Sequence, residues 1–332
     1  MKRAVAVCLA LGVCLGAASV SAETVKISFT RSLANAPFLI AEARGYFAAE
    51  GLTPEFIYSD SAGPVTMAVV SGDADFGATG LSGGFLNLAG QGKMRIIAGY
   101  IYEHPGFHGS ALIVSNRAWD AGFRSFKDMP GHSVAVTQVG TGIHYSVSLL
   151  AERFGFDMKD VRILPLQSFA NSAAAVVGGS ADSGVVSSSY FQAALQHGDL
   201  HLIGYVGDQV KSQTGAVFTA TKTADERHDF VERVLRVFRH GAKDYSDAFI
   251  GPDGKRKNGP DAPAMIALLS KAAQQTPEQV AETLNYIDAE GRLDTASVLH
   301  QVAWYKSQGM VKPEVDGTKI IDKRYVIEFP PE

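Results

Sequence analysis

The segment Gly140-Thr141-Gly142-Ile143-His144 lies between an apolar run at Ser133–Thr137 and a helical pattern over Thr141–Phe154. Its glycines let a main chain approach a ligand closely. Unpaired N–H groups at a helix start carry positive potential, so the segment suits an anion. No Gly-Lys-Ser/Thr follows at phosphate-loop spacing. A plain turn capped by Thr141 accounts for the same residues without a ligand. Similar polar groups recur where other apolar runs end: Ser32 and Asn35, then Thr79, Gly80 and Ser82, then Gln167, then Ser188 and Tyr190. Ser32, Asn35 and the Ser187–Ser189 cluster can equally serve as helix caps. With Tyr102, His108, Gly140, Thr141, Gly142 and His144 they form the set of candidate ligand-binding residues.

Catalytic signatures are missing from the sequence. Val185-Val186-Ser187-Ser188-Ser189 lacks the flanking glycines of a nucleophile elbow, and neither His-Glu-x-x-His nor Gly-x-Gly-x-x-Gly occurs. His104 and His108 stand four apart, but Pro105 and Gly106 break any helix that would bring them to one metal, so no metal or cofactor is expected. Tyr100, Tyr102, Phe107, Tyr145, Phe169 and Tyr190 crowd the same loops and could wall a cleft for an apolar-bodied ligand; core packing is the competing use of each.

Loops of this kind need strands and helices to hold them. The apolar runs alternate as strand, helix, strand from Val25 to Ser115, restart at Ser125, and continue to Tyr205. After one further strand at Gly215–Thr221 the chain reads as helical: Asp225–Phe249, Ala262–Gln275, Pro277–Ile287 and Thr295–Gln308. The pattern predicts an α/β fold with largely parallel sheets and helices on both faces. Ser71-Gly72-Asp73-Ala74-Asp75-Phe76-Gly77 echoes Gly178-Gly179-Ser180-Ala181-Asp182-Ser183-Gly184. That echo fits either a common helix-to-strand turn used twice or true pseudo-symmetry of two halves.

The N-terminus has its own logic. Lys2 and Arg3 precede the apolar stretch Ala4–Ala18, and Val20-Ser21-Ala22 supplies small residues at a cleavage site. This is the layout of a signal peptide, cut after Ala22. Both cysteines, Cys8 and Cys14, fall inside it, so the mature chain has no disulfide and no cysteine nucleophile. Losing Lys2 and Arg3 takes the formal net charge from -4 to -6, an unsuitable balance for binding nucleic acid through phosphates. A soluble periplasmic product, monomeric, is expected.

Three phrases carry a resemblance. Gly45-Tyr46-Phe47-Ala48-Ala49-Glu50-Gly51-Leu52, the Gly72–Gly77 stretch with its Ala-Asp, and Ser125–Val136 with Met129-Pro130-Gly131 resemble the periplasmic substrate-binding proteins of ABC importers. The branch is the one that binds nitrate, taurine, sulfonates and thiamine-precursor pyrimidines. The resemblance implies a type II periplasmic binding protein fold with two lobes and a hinge. Lobe one would hold 23–115 plus 215–332, and lobe two 116–214. It also implies a small-molecule ligand and an ABC permease with its ATPase as partners. Pyrimidine synthases of this fold carry a cysteine-rich segment that is missing here. The function expected is a solute receptor for a small organic anion of sulfonate or aromatic carboxylate type. A pyrimidine receptor is the alternative; an exported enzyme or a sensing subunit are the rivals from other classes.

Overall fold

A computed structural model describes residues 22–330. The expected leader falls on residues 1–22 and, apart from Ala22, lies outside the described residues. Among the described residues no helix is long and apolar enough to cross a membrane.

In chain order the elements are β1 (Glu23–Thr30), α1 (Ala36–Ala43), α2 (Tyr46–Ala49), β2 (Leu52–Ser59), α3 (Ala62–Ser71), β3 (Phe76–Gly80), α4 (Gly83–Gly90), β4 (Met94–Gly99), β5 (Tyr102–Glu103) and β6 (Ser110–Ser115). Then come α5 (Asn116–Asp120), β7 (Ser133–Val136), α6 (Gly142–Phe154), β8 (Arg162–Pro165), α7 (Phe169–Val177), β9 (Ser183–Ser187), α8 (Gln192–His197), β10 (Leu200–Tyr205) and β11 (Ser212–Gln213). The last are β12 (Gly215–Ala220), α9 (Thr221–Glu226), α10 (His228–Phe249), α11 (Ala262–Ala273), α12 (Pro277–Glu282) and α13 (Thr295–Ser307).

Two five-stranded sheets result, ordered β2-β1-β3-β12-β4 and β8-β7-β9-β6-β10, with β5 and β11 paired separately between them. Each sheet is mixed rather than largely parallel. The first three strands in each order run parallel, while β12 and β6 are antiparallel to both their neighbours. The reason is an exchange: the chain leaves the first sheet after β4 and inserts β6 into the second, then leaves the second after β10 and inserts β12 into the first. Residues 110–115 therefore belong to the second sheet, not to lobe one as the order of apolar runs suggested. The first crossing lies at 100–109, through β5, and the return lies at 206–214, through β11.

The echo noted in the sequence marks this internal symmetry. The Asp75 carboxylate accepts a hydrogen bond from the Lys26 N–H of β1 at 2.9 Å, and the Asp182 carboxylate accepts one from the Ser133 N–H of β7 at 2.9 Å. The two pairs have the same sequence separation of 49 and the same place in the two sheets. Each Asp also meets an arginine, Arg227 for Asp75 and Arg117 for Asp182.

Alternation in β1 puts Val25, Ile27 and Phe29 into the core. α1 and α2 are separated at Gly45, whose φ of +75° is open to glycine without strain. α10 carries an apolar face of Phe230, Val231, Val234, Leu235, Phe238, Ala242, Tyr245 and Phe249, all buried. It packs across α1, and Gly241 lies on the Pro37 carbonyl so tightly that a Cβ would stand 2.0 Å from that oxygen. The C-terminal helices cover the first sheet: Val298, Val302 and Tyr305 of α13 join the core made by Phe85, Ile96 and Phe218. α12 ends at Glu282 rather than continuing to Ile287, because the chain turns there to bring Asn285 toward the crossings.

Candidate functional site

A cavity sits between the two sheets. Clefts so placed take small organic molecules. The first sheet contributes Thr30, Ser32, Asp60, Ser61, Thr79 and Gly80 from strand ends and the turns after them. The second contributes Thr137, Thr141, Gly142, Phe169 and Ser187. The crossings supply Ile101, Glu103, Gly109, Ser110 and Thr214. This is where α/β sheets bind ligands, because strand-end loops and helix N-termini point to one place.

Two helix starts face the cavity without a side-chain cap. Thr141, at the N-cap of α6, spends its hydroxyl on the Gln138 carbonyl at 2.8 Å, and Ser61, at the N-cap of α3, makes no cap bond. Main-chain donors at Ala62, Gly142 and Ile143 are thus left to a ligand. α4 and α7 are capped instead, by Ser82 to the Phe85 N–H and by Ser168 to the Asn171 N–H, each at 3.1 Å.

Of the candidate residues, Ser32, Thr79, Gly80, Thr141 and Gly142 line the cavity. The remaining candidates are engaged elsewhere. Asn35 is buried, donating to the Thr30 carbonyl at 2.7 Å and accepting from the Tyr100 hydroxyl. Tyr102 stacks with Tyr286 and Phe329 beside the β5–β11 pair. His108 stacks on Tyr205 at 3.8 Å and bonds the Glu282 carbonyl, while His104 stacks on Tyr286 at 4.4 Å, so the two rings diverge. Gly140, at φ +77°, accepts from the Gly83 N–H and donates to the His144 ring. His144 is held by that bond against Trp304, and burial pushes its pKa down to about 4. Gln167 is exposed at φ +72° beside Gln138. The Ser188 hydroxyl is buried with no partner among the described residues, and Tyr190 stands at the outer rim, stacked on Phe169. Of the aromatic residues expected as walls, only Phe169 borders the cavity. Tyr100, Phe107 and Tyr145 are core.

Sequence reasoning passed over Glu103. It is 2% exposed and stands in the cavity wall, with Ser110 beside it in the same wall. Burial, with Asp208 nearby, pushes its carboxyl up to about 7. No lysine, arginine or histidine is among the lining residues, which do include Asp60. A buried glutamate at a chain crossing was the available signal; it was hidden because β5 is too short to show a strand pattern.

The two sheets also meet across the cavity mouth. The Tyr190 hydroxyl donates to the Arg31 carbonyl at 3.2 Å, and the Tyr145 hydroxyl lies 2.6 Å from His300 Nδ1 on α13. Tyr145, on α6 beside the second sheet, is buried in the core of the first.

No curated protein sequence matches the chain. Solved structures share its architecture. The alkanesulfonate-binding protein of Xanthomonas axonopodis pv. citri, bound to MOPS, superposes with a TM-score of 0.71 at 17% identity, over 90% of this chain and 98% of that one. The periplasmic aliphatic sulphonate-binding protein of Escherichia coli gives 0.70 at 17% identity, over 91% and 98%. The periplasmic nitrate-binding protein of Synechocystis PCC 6803 gives 0.67 at 16% identity, over 91% and 86%. The fold is thus the periplasmic binding protein fold that the resemblance implied. The model of the family described as NMT1/THI5 like matches residues 33–248, more than half of the chain, and the protein belongs to that family.

Proposed function

We propose that the protein is a periplasmic solute receptor that captures a small organic molecule and delivers it to an ABC import permease. The observation that carries this reading is the composition of the cavity wall, drawn from both sheets and both crossings. A ligand touching both halves favours the closed arrangement by its differential affinity for it, and so acts as the closing force. A cleaved leader would place the receptor outside the inner membrane, where a permease meets it.

The uncapped N-termini of α3 and α6 support an acceptor-rich ligand group, a sulfonate or aromatic carboxylate. The sulfonate and nitrate binders among the structural relatives agree with that choice. A specific observation favours the pyrimidine alternative. The wall holds Glu103 and Asp60 and no basic side chain, which suits a heterocycle that donates N–H bonds. Thermal-shift and calorimetric titrations across sulfonates, aromatic carboxylates, nitrate and pyrimidines test the reading, since a ligand bound only by the native state raises the melting midpoint. Saturable binding with no turnover of the bound compound is expected. Chemical conversion of the ligand by the purified protein would replace the receptor by an enzyme.

A further inference from the structure

We infer that Glu103 is the residue that selects the ligand, accepting a hydrogen bond as a carboxylate from an amine or amidine N–H. This rests on the receptor reading and narrows it. Glu103 is a buried acid placed in the cavity wall at a crossing between the sheets, where a ligand bridging both halves must pass. Its environment is built around it. Ser110 lines the wall beside it, and Gly109 lies so close that a Cβ there would stand 3.1 Å from Glu103 Oε2, so only glycine leaves the carboxyl its room.

The charged groups around Glu103 do not neutralise it. Asp208, on the return crossing, is engaged with the Gly106 N–H at 2.8 Å and raises the cost of a second negative charge. Asp60, from the turn between β2 and α3, adds a carboxyl to the same wall. On β11, opposite, the register partner is Ser212, which is neutral. His104 is next in sequence but stacks on Tyr286, and Lys211 acts on His104. A ligand cation or polarised N–H therefore supplies the positive charge that the protein does not place in this wall. An anion would instead require Glu103 to stay protonated.

The proton balance follows. Near neutral pH a protonated Glu103 binds an alkylammonium ligand by losing its proton to solvent, leaving carboxylate against ammonium; a neutral aminopyrimidine takes the same proton on a ring nitrogen, leaving carboxylate against pyrimidinium with no net release. The test uses two probe pairs with wild type: 2-aminoethanesulfonate against ethanesulfonate, and 4-aminopyrimidine against pyrimidine. Affinities are measured by calorimetry at pH 8 and pH 5.5, in buffers of different ionisation enthalpy. The expected result is binding confined to, or stronger by about ten-fold for, an amino-bearing member. For 2-aminoethanesulfonate that binding should release close to one proton at pH 5.5 and little at pH 8, where Glu103 is already largely ionised, and should be weaker by about ten-fold or more at pH 5.5.

Glu103→Gln should abolish the preference and the proton release. Ser110→Ala, which removes the hydroxyl that favours the ionised carboxyl, should move the pH profile to higher pH. It serves equally if Glu103→Gln does not fold. Equal binding of amino-bearing and amino-free members, or binding of an amino-free anion with proton uptake, overturns the assignment and leaves the receptor intact. Binding by none of the probes, with none of the wider ligand set either, overturns the receptor reading as well.

Discussion

Two buried titratable residues dominate the chemistry of the cleft region and act in opposite senses on stability. Burial raises Glu103 to about 7, above the 4.5 of the unfolded chain. The folded state therefore holds its proton more tightly, and stability falls as pH rises from about 4.5 to about 7. The full penalty is of order 3 kcal/mol at 1.36 kcal/mol per unit. Burial lowers His144 from 6.5 to about 4, so the neutral ring contributes stability that is whole above 6.5 and is lost as pH falls toward 4. The two effects oppose each other in wild type. We expect Glu103→Gln to be more stable than wild type at pH 8, by up to about 3 kcal/mol, with the difference vanishing near pH 4.5. Urea denaturation at a series of pH values checks this; a difference independent of pH would show that Glu103 titrates alike in the native and unfolded states. The residue scale also explains why Thr141 was readable from sequence and Asn35 was not. Thr141 has a glycine on each side and must sit at a helix start, whereas Asn35 has a choice of partners that only packing resolves.

Among the elements, α10 against α1 is a contact with little tolerance. The overlap a Cβ would make at Gly241 is with a main-chain oxygen, which cannot rotate away. Alanine is favoured over glycine in a helix interior by about 1 kcal/mol, but overpacking costs roughly 1–3 kcal/mol or more. We expect Gly241→Ala to be net destabilising by about 1–2 kcal/mol. A lowered urea midpoint at unchanged slope would confirm it; a raised midpoint would mean that α10 can move off Pro37. The helices themselves were legible from apolar spacing, α13 to within one residue at its end. The stop at Glu282 was not, because the apolar residues that follow α12, Leu284 and Ile287, are buried as irregular chain and look the same in sequence as a further helical turn.

At the scale of the whole molecule, the mouth of the cavity is bridged by few polar contacts. Tyr190 to the Arg31 carbonyl joins the halves at the rim, where a lost hydrogen bond is worth about 0.5–1.5 kcal/mol. Tyr190→Phe keeps the stacking on Phe169 and removes only that bond. We expect ligand dissociation to accelerate by roughly two- to ten-fold with little change in association. Stopped-flow displacement measures it; an unchanged off-rate would mean that the bond plays no part in holding the closed form. Tyr145→Phe should act in the same direction through the loss of its contact with His300 at 2.6 Å, read in the same assay.

The sequence alone determined the alternation of strands and helices, the family phrases at Gly45–Leu52 and Gly72–Gly77, and the main-chain donors at Gly142. Each of these is set by residues close together in the chain, through periodicity, glycine backbone freedom and helix-end hydrogen bonding. The tertiary structure decided which sheet each strand joined. The run at 110–115 is equally apolar whether it pairs with β4 or with β9, and the exchange with β12 is a matter of long-range pairing. It also decided the charge of the cleft. Glu103 becomes a buried acid only when Ser110, Asp208 and Gly109 close around it, and Tyr100, Phe107 and Tyr145, expected as walls, found burial in the cores instead.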